Sequence, residues 1–485
     1  MNDVSEIRKA LIEAIPYTTA NYGETPDTRY IYTPLAHEKA LRLETNLVVG
    51  ARGVGKSFWT AAINDEGIRS ELGNSMRELK TASVYIGFST KDNIAAYPDQ
   101  DTFARLLGGG FTAYEIWRAV ASRWLSEIAH CDIPRGDWPE TVGWVKDNPE
   151  QVTKLFQGAN AVFESEDRRG LILFDALDRC SDNWQKMDGI VRDLLRVALW
   201  LKSYSRIYVK IFLRTDQFSR QIMDFPDASK ILATMVELTW QVHDLHGLLW
   251  QLLCNAPDEY GETLRKLYEE ALGRFPAQKE SRKESGAWSL TDKEKHDGKE
   301  QRNLFEKLAG PYMGTDQRRG IPYVWSVRHL ADGKGQTSPR SFLVAIRSAA
   351  EDSLERYPDH KYALHYESIK RGVQKASSVR IGEVTEDYPW ITKLLSPLEK
   401  LNVPCDFSVV EARWDEEFPS GAETLPSKDR LPPQSLKEGW LGIRKDLERI
   451  GLFEILQDGR INMPDLYRIG FKLGRKGGVR PISKG

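Results

Sequence analysis

Cysteine is scarce in this chain. Its 485 residues include only four, Cys131, Cys180, Cys254 and Cys405, set far apart with no C-x-x-C pair. That excludes a cysteine-built zinc site and a disulfide framework, and it fits a reducing compartment with each thiol a small core residue. Long apolar runs are also missing. None approaches the roughly 18 residues of a membrane span, so no membrane partner is expected. The opening residues, Met1-Asn-Asp-Val-Ser-Glu-Ile-Arg8, lack a secretory pattern, which makes a cytoplasmic location the expectation. Charge of one sign is lacking too. The formal net charge of −2 drives no global attraction to nucleic acid or membrane, so any basic surface must be local.

What is present is a phosphate-binding loop. Gly50 to Ser57 reads G-x-x-x-x-G-K-S, after the apolar run Leu47-Val-Val49 and before a helical pattern from Phe58 to Ile63. This is the strand–loop–helix setting that the motif requires. The candidate nucleotide-binding residues are Gly50, Arg52, Gly53, Val54, Gly55, Lys56, Ser57 and Phe58. Glycines let the backbone curl until its N–H groups face a phosphate chain, and the helix N-terminus adds partial positive charge there. Lys56 would reach the β- and γ-phosphates, and the Ser57 hydroxyl would ligate Mg²⁺. The expected ligands are therefore ATP and Mg²⁺.

The second anchor is Arg169-Gly-Leu-Ile-Leu-Phe-Asp-Ala-Leu-Asp-Arg179. An apolar strand ending in Asp175 has the Walker B form, with the carboxylate directed at Mg²⁺ or its water. Asp178 is the candidate base that orients the attacking water, or else a helix N-cap. The strand Ile207–Leu213 ends in Arg214-Thr-Asp216, three residues that compete to sense a γ-phosphate. Ala82–Phe88 and Met235–Trp240 supply two more strands. With the P-loop strand these imply an α/β, P-loop NTPase core: a five-stranded parallel sheet between helices, with right-handed crossovers.

On a prior of about 150 residues per domain the chain divides into roughly three domains and a leader. Residues 1–45 form the helical leader, in which Tyr32, Pro34 and His37 either contact adenine or simply pack. Residues 46–260 are the core. Its stretch 131–150, rich in Pro, Gly and Trp, reads as an excursion. Residues 261–375 form a helical lid, with a charged insertion at 278–302 that reads as solvated or disordered. In the lid, Ser338-Pro339 reads as an N-cap with proline at the first helical position. Arg340 then places a cation in a first turn, against the helix dipole. Its partner is an anionic ligand such as a γ-phosphate, or an acid such as Glu351 or Asp352.

Residues 376–485 read as a winged-helix-like domain, with helices at Trp390–Leu401 and Leu436–Ile450. A hairpin turns at Asp458-Gly459. The tail carries Lys472, Arg475, Lys476, Arg480 and Lys484 with no acid after Asp465, a local basic patch that suits DNA, while a winged helix also serves as a protein-contact or autoinhibitory module.

Gly50–Ser57, Leu171–Asp178, the strand tip at Arg214 and Pro339-Arg340 together resemble the AAA+/STAND group of P-loop ATPases, over about residues 25–375. Leu-Ile-Leu-Phe-Asp-Ala-Leu-Asp looks like the STAND Walker B, which usually continues into D-G/A-L-D-E. The chain is similar too to bacterial P-loop ATPases encoded near anti-phage defence genes. The resemblance implies ATP binding, Mg²⁺ held by Ser57 and Asp175, homo-oligomerisation, a nucleotide-driven switch and an effector protein encoded nearby. It casts Asp178, Arg214 and Arg340 as the catalytic set, with Arg340 as the lid arginine called sensor 2. Two departures stand out. Arg179 occupies the usual STAND glutamate position, and Ala176 follows Asp175 where AAA+ proteins place glutamate. Hydrolysis then depends on Asp178, is slow, or is absent. The chain has no N-K-x-D motif of GTPases, no L-S-G-G-Q run of ABC ATPases, and no nuclease, protease or deaminase constellation. The alternatives to a switch are a DNA-acting ATPase, as loader or remodeller, and a non-hydrolysing nucleotide-binding scaffold.

Overall fold

A computed structural model describes residues 3–16, 24–73, 76–181, 183–219, 221–278, 286–296, 298–425 and 432–475. The chain divides into two compact units. One comprises Asn21–Pro26 and Leu35–Leu238, the other Met1–Ala20, Asp27–Pro34 and Thr239–Gly485.

The first unit is built on a five-stranded sheet in the order β2-β3-β4-β1-β5. The strands are β1 Leu47–Gly50, β2 Ala82–Phe88, β3 Arg169–Phe174, β4 Ile207–Arg214 and β5 Val236–Glu237. Every pairing is parallel. This is the expected α/β P-loop core. Apart from Arg169 at the start of β3, the residues of β1 and β3 are apolar or glycine and buried, as a sheet covered by helices on each side requires. β5 is shorter than the Met235–Trp240 run suggests. Its ladder with β1 covers only Val48↔Val236 and Val49↔Glu237.

The register places functional positions together. Gly50 at the end of β1 pairs with Arg214 at the end of β4, and Phe174 of β3 pairs with Ile211. The C-terminal ends of these three strands therefore form one edge, the usual ligand side of an open α/β sheet. Beneath it, Trp117 of the helix Ala113–Ile128 meets Phe174 edge-on at 5.3 Å and donates from its indole nitrogen to the Ile190 carbonyl at 3.0 Å.

Residues 131–150 are not an excursion from the core. Asp137 caps the helix Trp138–Asp147 by accepting from the Glu140 N–H at 2.8 Å. Trp138, Val142 and Val145 then sit one helical turn apart in the core. A further helix, Pro149–Ser165, starts on its own proline and buries Val152, Leu155, Phe156, Ala159 and Phe163.

The second unit is helical. The N-terminal helix Val4–Ala14 belongs to it and is anchored by Arg8, which is fully buried. The Arg8 guanidinium donates to the carbonyls of Ala363 at 3.0 Å, Pro358 at 2.9 Å and Tyr357 at 2.8 Å. The charged insertion also folds where it is described, contrary to the solvated reading. Helices Asp292–His296 and Gly298–Ala309 cross it. Thr291 and Glu294 form a reciprocal cap, and the buried Glu294 carboxylate takes the Arg274 guanidinium at 2.9 Å. Residues 279–285 and 297 of that stretch lie outside the described residues.

The C-terminal part has a winged-helix pattern, but its helices differ from those expected. The Trp390–Leu401 run is α-helical only over Trp390–Leu395 and ends in the 3₁₀ turn Ser396–Leu398. A helix not read from the sequence, Phe407–Glu417, and Gly439–Ile450 precede a hairpin that pairs Glu454↔Asn462 and Ile455↔Ile461. Gly459 turns it with a φ of 83°. Cys405 adds a third short pairing, its N–H donating to the Ile461 carbonyl at 3.0 Å. No helix among the described residues is long and apolar enough to cross a membrane.

Candidate functional site

The loop after β1 owes its shape to glycine. Gly53 and Gly55 have φ values of 81° and 105°, in the left-handed region that L side chains rarely adopt. The helix Lys56–Asn64 begins directly after them, so its N-terminal dipole points at the loop. The Lys56 ammonium folds back and donates to the carbonyls of Gly50 at 2.8 Å and Ala51 at 2.9 Å. Burial, reinforced by the nearby Arg214 cation, pushes its pKa down to about 8, against the pull of Asp175, Asp216 and Asp178. A buried ammonium in that condition gains from an arriving anion.

Asp175 follows β3 directly and is buried, and its N–H donates to the Phe88 carbonyl at 2.9 Å. Burial raises its pKa, while the Ser57 hydroxyl bonded to the carboxylate and the Lys56 cation oppose that rise. The Ser57–Asp175 pair offers two hard oxygen donors side by side. Such a pair suits Mg²⁺, which takes one or two protein oxygens and completes its shell with water and phosphate.

After Asp175 the chain turns sharply. Ala176 has a φ of 57°, which costs a non-glycine residue about 1–2 kcal/mol. It starts the 3₁₀ turn Leu177–Arg179, which brings Asp178 to 3.6 Å from Arg214. The helix that follows is capped by Asn183, so the N-cap reading of Asp178 does not hold. Arg179 donates to the Thr90 carbonyl at 3.0 Å, and neither it nor Ala176 supplies a carboxylate.

At the tip of β4 the three competing residues separate by environment. Arg214 is gripped by Asp216 through Nε to Oδ1 at 3.1 Å and Nη2 to Oδ2 at 2.8 Å. The Thr215 N–H donates to the Gly50 carbonyl at 3.3 Å, and its hydroxyl is buried without a hydrogen-bond partner. Asp216 thus has a part that the sequence reading did not assign, as the carboxylate that holds Arg214. The only signal for it was an acid two residues after the arginine at a strand end.

Gly50, Lys56, Ser57, Asp175, Asp178 and Arg214 are therefore brought together in one unit. Arg340 belongs to the other. Ser338 caps its helix, Pro339–Arg356, as expected. Arg340 pairs with Glu383 of the helix Tyr366–Asp387, and neither Glu351 nor Asp352 is that partner. Those two carboxylates take Arg347 at 3.0 Å and Arg371 at 2.7 Å instead. Tyr32, Pro34 and His37 are all buried. His37 accepts from the Trp59 indole at 3.0 Å, and Tyr32 stacks on Trp240 at 6.3 Å, which favours packing over base contact.

In the basic tail, Lys472 pairs with Glu399 at 3.7 Å and Arg475 with Asp465 at 3.5 Å. Lys476, Arg480 and Lys484 lie outside the described residues.

No protein-family model matches the chain, and no curated protein matches it. Among solved structures it is similar to the ORC2 protein of Aeropyrum pernix in ADPNP–ADP complexes. Identity there is 11%, with a TM-score of 0.31 over 90% of this chain and 93% of that one. It is also similar to the ORC1 protein of Aeropyrum pernix in complex with DNA, at 12% identity and a TM-score of 0.35 over 94% and 93% of the two chains. Neither likeness is close enough to bear on the chemistry of the site.

Proposed function

We propose that this chain is an ATP-binding, slowly hydrolysing AAA+/STAND-type P-loop ATPase that works as a molecular switch. The observation that carries the reading is the convergence of Lys56, Ser57, Asp175, Asp178 and Arg214 at one edge of the sheet. The loop backbone and helix N-terminus cradle the phosphates, and Lys56 leaves its two carbonyls for the β- and γ-phosphate oxygens. Ser57 and Asp175 would hold Mg²⁺, which when bound would offset phosphate charge. Asp178 orients water. The water oxygen bonds to the γ-phosphorus, the bond to the β–γ bridging oxygen breaks, and ADP leaves. The proton passes to Asp178 and on to the released phosphate.

Slow turnover follows from the carboxylate count. Positions 176 and 179 carry no acid, and the one candidate base stands 3.6 Å from a cation. The switch output is read as oligomerisation or engagement of a partner effector encoded nearby, in an anti-phage role. Arg340, paired with Glu383, is read as the lid arginine.

Asp178→Ala is expected to lower kcat about 100-fold while leaving ADP affinity unchanged, since a positioned base contributes about that much. Steady-state phosphate release measures the first and calorimetry the second. A wild-type rate in the variant removes Asp178 from the mechanism. No turnover in the wild-type protein, with binding intact, would favour the scaffold reading.

The winged-helix unit favours a second reading, an ATPase that loads or remodels DNA. Its second helix weighs against this. Arg444, Lys445 and Arg449 are paired with Glu448, Glu438 and Asp446, so phosphates would have to displace acids. Under this reading, removing residues 476–485 weakens duplex binding and flattens its salt dependence; under the switch reading it changes neither.

A further inference from the structure

Arg214 is held by two carboxylates with unequal grips. Asp216 makes a two-point fork at 3.1 and 2.8 Å from the same strand end. Asp178 makes a single contact at 3.6 Å, comes from the separate turn after β3, and is a third exposed. The first contact is local and well shielded, with the Arg214 and Asp216 side chains 15% and 10% exposed. The second is long-range and open to solvent, so it is the one that can be exchanged cheaply. Arginine's five N–H donors let one edge stay with Asp216 while the other changes partner.

Charge supplies the drive. Lys56 and Arg214 face Asp175, Asp178 and Asp216, two cations against three carboxylates. A γ-phosphate arriving beside this group repels Asp178 and attracts Arg214, whose guanidinium is the better shielded of the two. A nucleoside diphosphate lacks that third phosphate and leaves the pair undisturbed.

We propose that Arg214 is an exchange arginine. Asp216 fixes its guanidinium, its Nη1 edge pairs with Asp178, and the γ-phosphate of ATP displaces Asp178, releasing that carboxylate to the attacking water. This rests on the ATPase reading and refines it. Asp178 becomes a conditional base, present only when there is a γ-phosphate to attack, and Asp216 becomes a positioning residue. The arrangement also explains how a site lacking the usual glutamate can avoid futile water activation.

The test is a double-mutant cycle on the full chain. Calorimetry with Mg²⁺ measures ADP and the slowly hydrolysed ATPγS on wild type, Asp178→Asn, Arg214→Gln and the double variant. ADP affinity is expected to stay within about twofold throughout. Arg214→Gln should weaken ATPγS at least about tenfold, the value of a charge-assisted phosphate contact. Asp178→Asn should tighten ATPγS about fivefold in the wild-type background by removing the competitor, and not at all in the Arg214→Gln background. Equal tightening in both backgrounds overturns the exchange, because Asp178 would then repel the phosphate without involving Arg214. Asp216→Asn should weaken ATPγS and spare ADP, with Asp216→Glu restoring at least half the loss. Parallel loss of both nucleotides marks Asp216 as merely structural and overturns its part. Wild-type protein that binds neither nucleotide overturns the ATPase reading and the exchange with it, whereas normal binding with additive effects overturns the exchange alone.

Discussion

Lys56→Ala is expected to weaken ATP binding by about two orders of magnitude while leaving the fold intact. The ammonium is buried, its pKa is pushed down to about 8, and it spends its donors on the Gly50 and Ala51 carbonyls. An ammonium so shifted gains from an arriving anion. In the variant, charge-assisted contacts to two phosphates are lost, worth about 3 kcal/mol together, or roughly 100-fold in affinity. Calorimetry gives the affinity, and thermal unfolding checks that the variant is folded. Unchanged affinity would remove the loop from nucleotide binding altogether.

The second large effect lies away from the site. Lys210 sits in the middle of β4 and is fully buried. Its ammonium donates to the carbonyls of Ala40 at 2.7 Å and of Arg42 and Thr45 at 2.8 Å, so its three protons close the end of the helix Leu35–Leu41 and the turn into β1. Lys210→Met leaves these carbonyls without that donor. It is expected to cost about 3 kcal/mol, lowering the unfolding midpoint of this unit by about 6–12 °C.

The same lysine makes stability depend on pH. Burial lowers its pKa to about 7 in the folded chain, against about 10.4 when unfolded. Between those values the unfolded chain binds the extra proton. The Lys210 contribution is therefore least favourable below pH 7 and rises with pH across the window. Denaturant titrations from pH 7 to 10 should show that rise in the wild type and lose it in Lys210→Met. An identical slope in both assigns the dependence to another group.

The core of this protein was legible because its signals are local. The Gly50–Ser57 spacing, the apolar runs of β1 and β3 and the acid at Asp175 each follow from a few adjacent residues, and strand count and direction follow from their order. The helix Trp138–Asp147 carried a readable signal too, an Asp before Trp-Pro-Glu. The Pro, Gly and Trp content of the stretch masked it. Thr291-Asp-Lys-Glu294 is likewise a capping box inside a run that its charge made look solvated. What could not be read was partnership across the chain. Arg340 chooses Glu383, 43 positions away, over acids on its own helix. Arg8 reaches carbonyls some 350 positions away. Lys210 looks like a misplaced charge until the turn before β1 is packed against it. Asp216 was legible as a polar strand tip but not as the clamp on Arg214, because that depends on which way a guanidinium turns.

The most direct measurement is titration of the full-length wild-type chain with ATP, with and without Mg²⁺, beside Lys56→Ala. Saturable binding of one ATP per chain, weakened about tenfold when Mg²⁺ is chelated and about 100-fold in Lys56→Ala, is the expected result. Failure of the wild-type chain to bind ATP at millimolar concentration, or binding indifferent to both Mg²⁺ and Lys56, would contradict it.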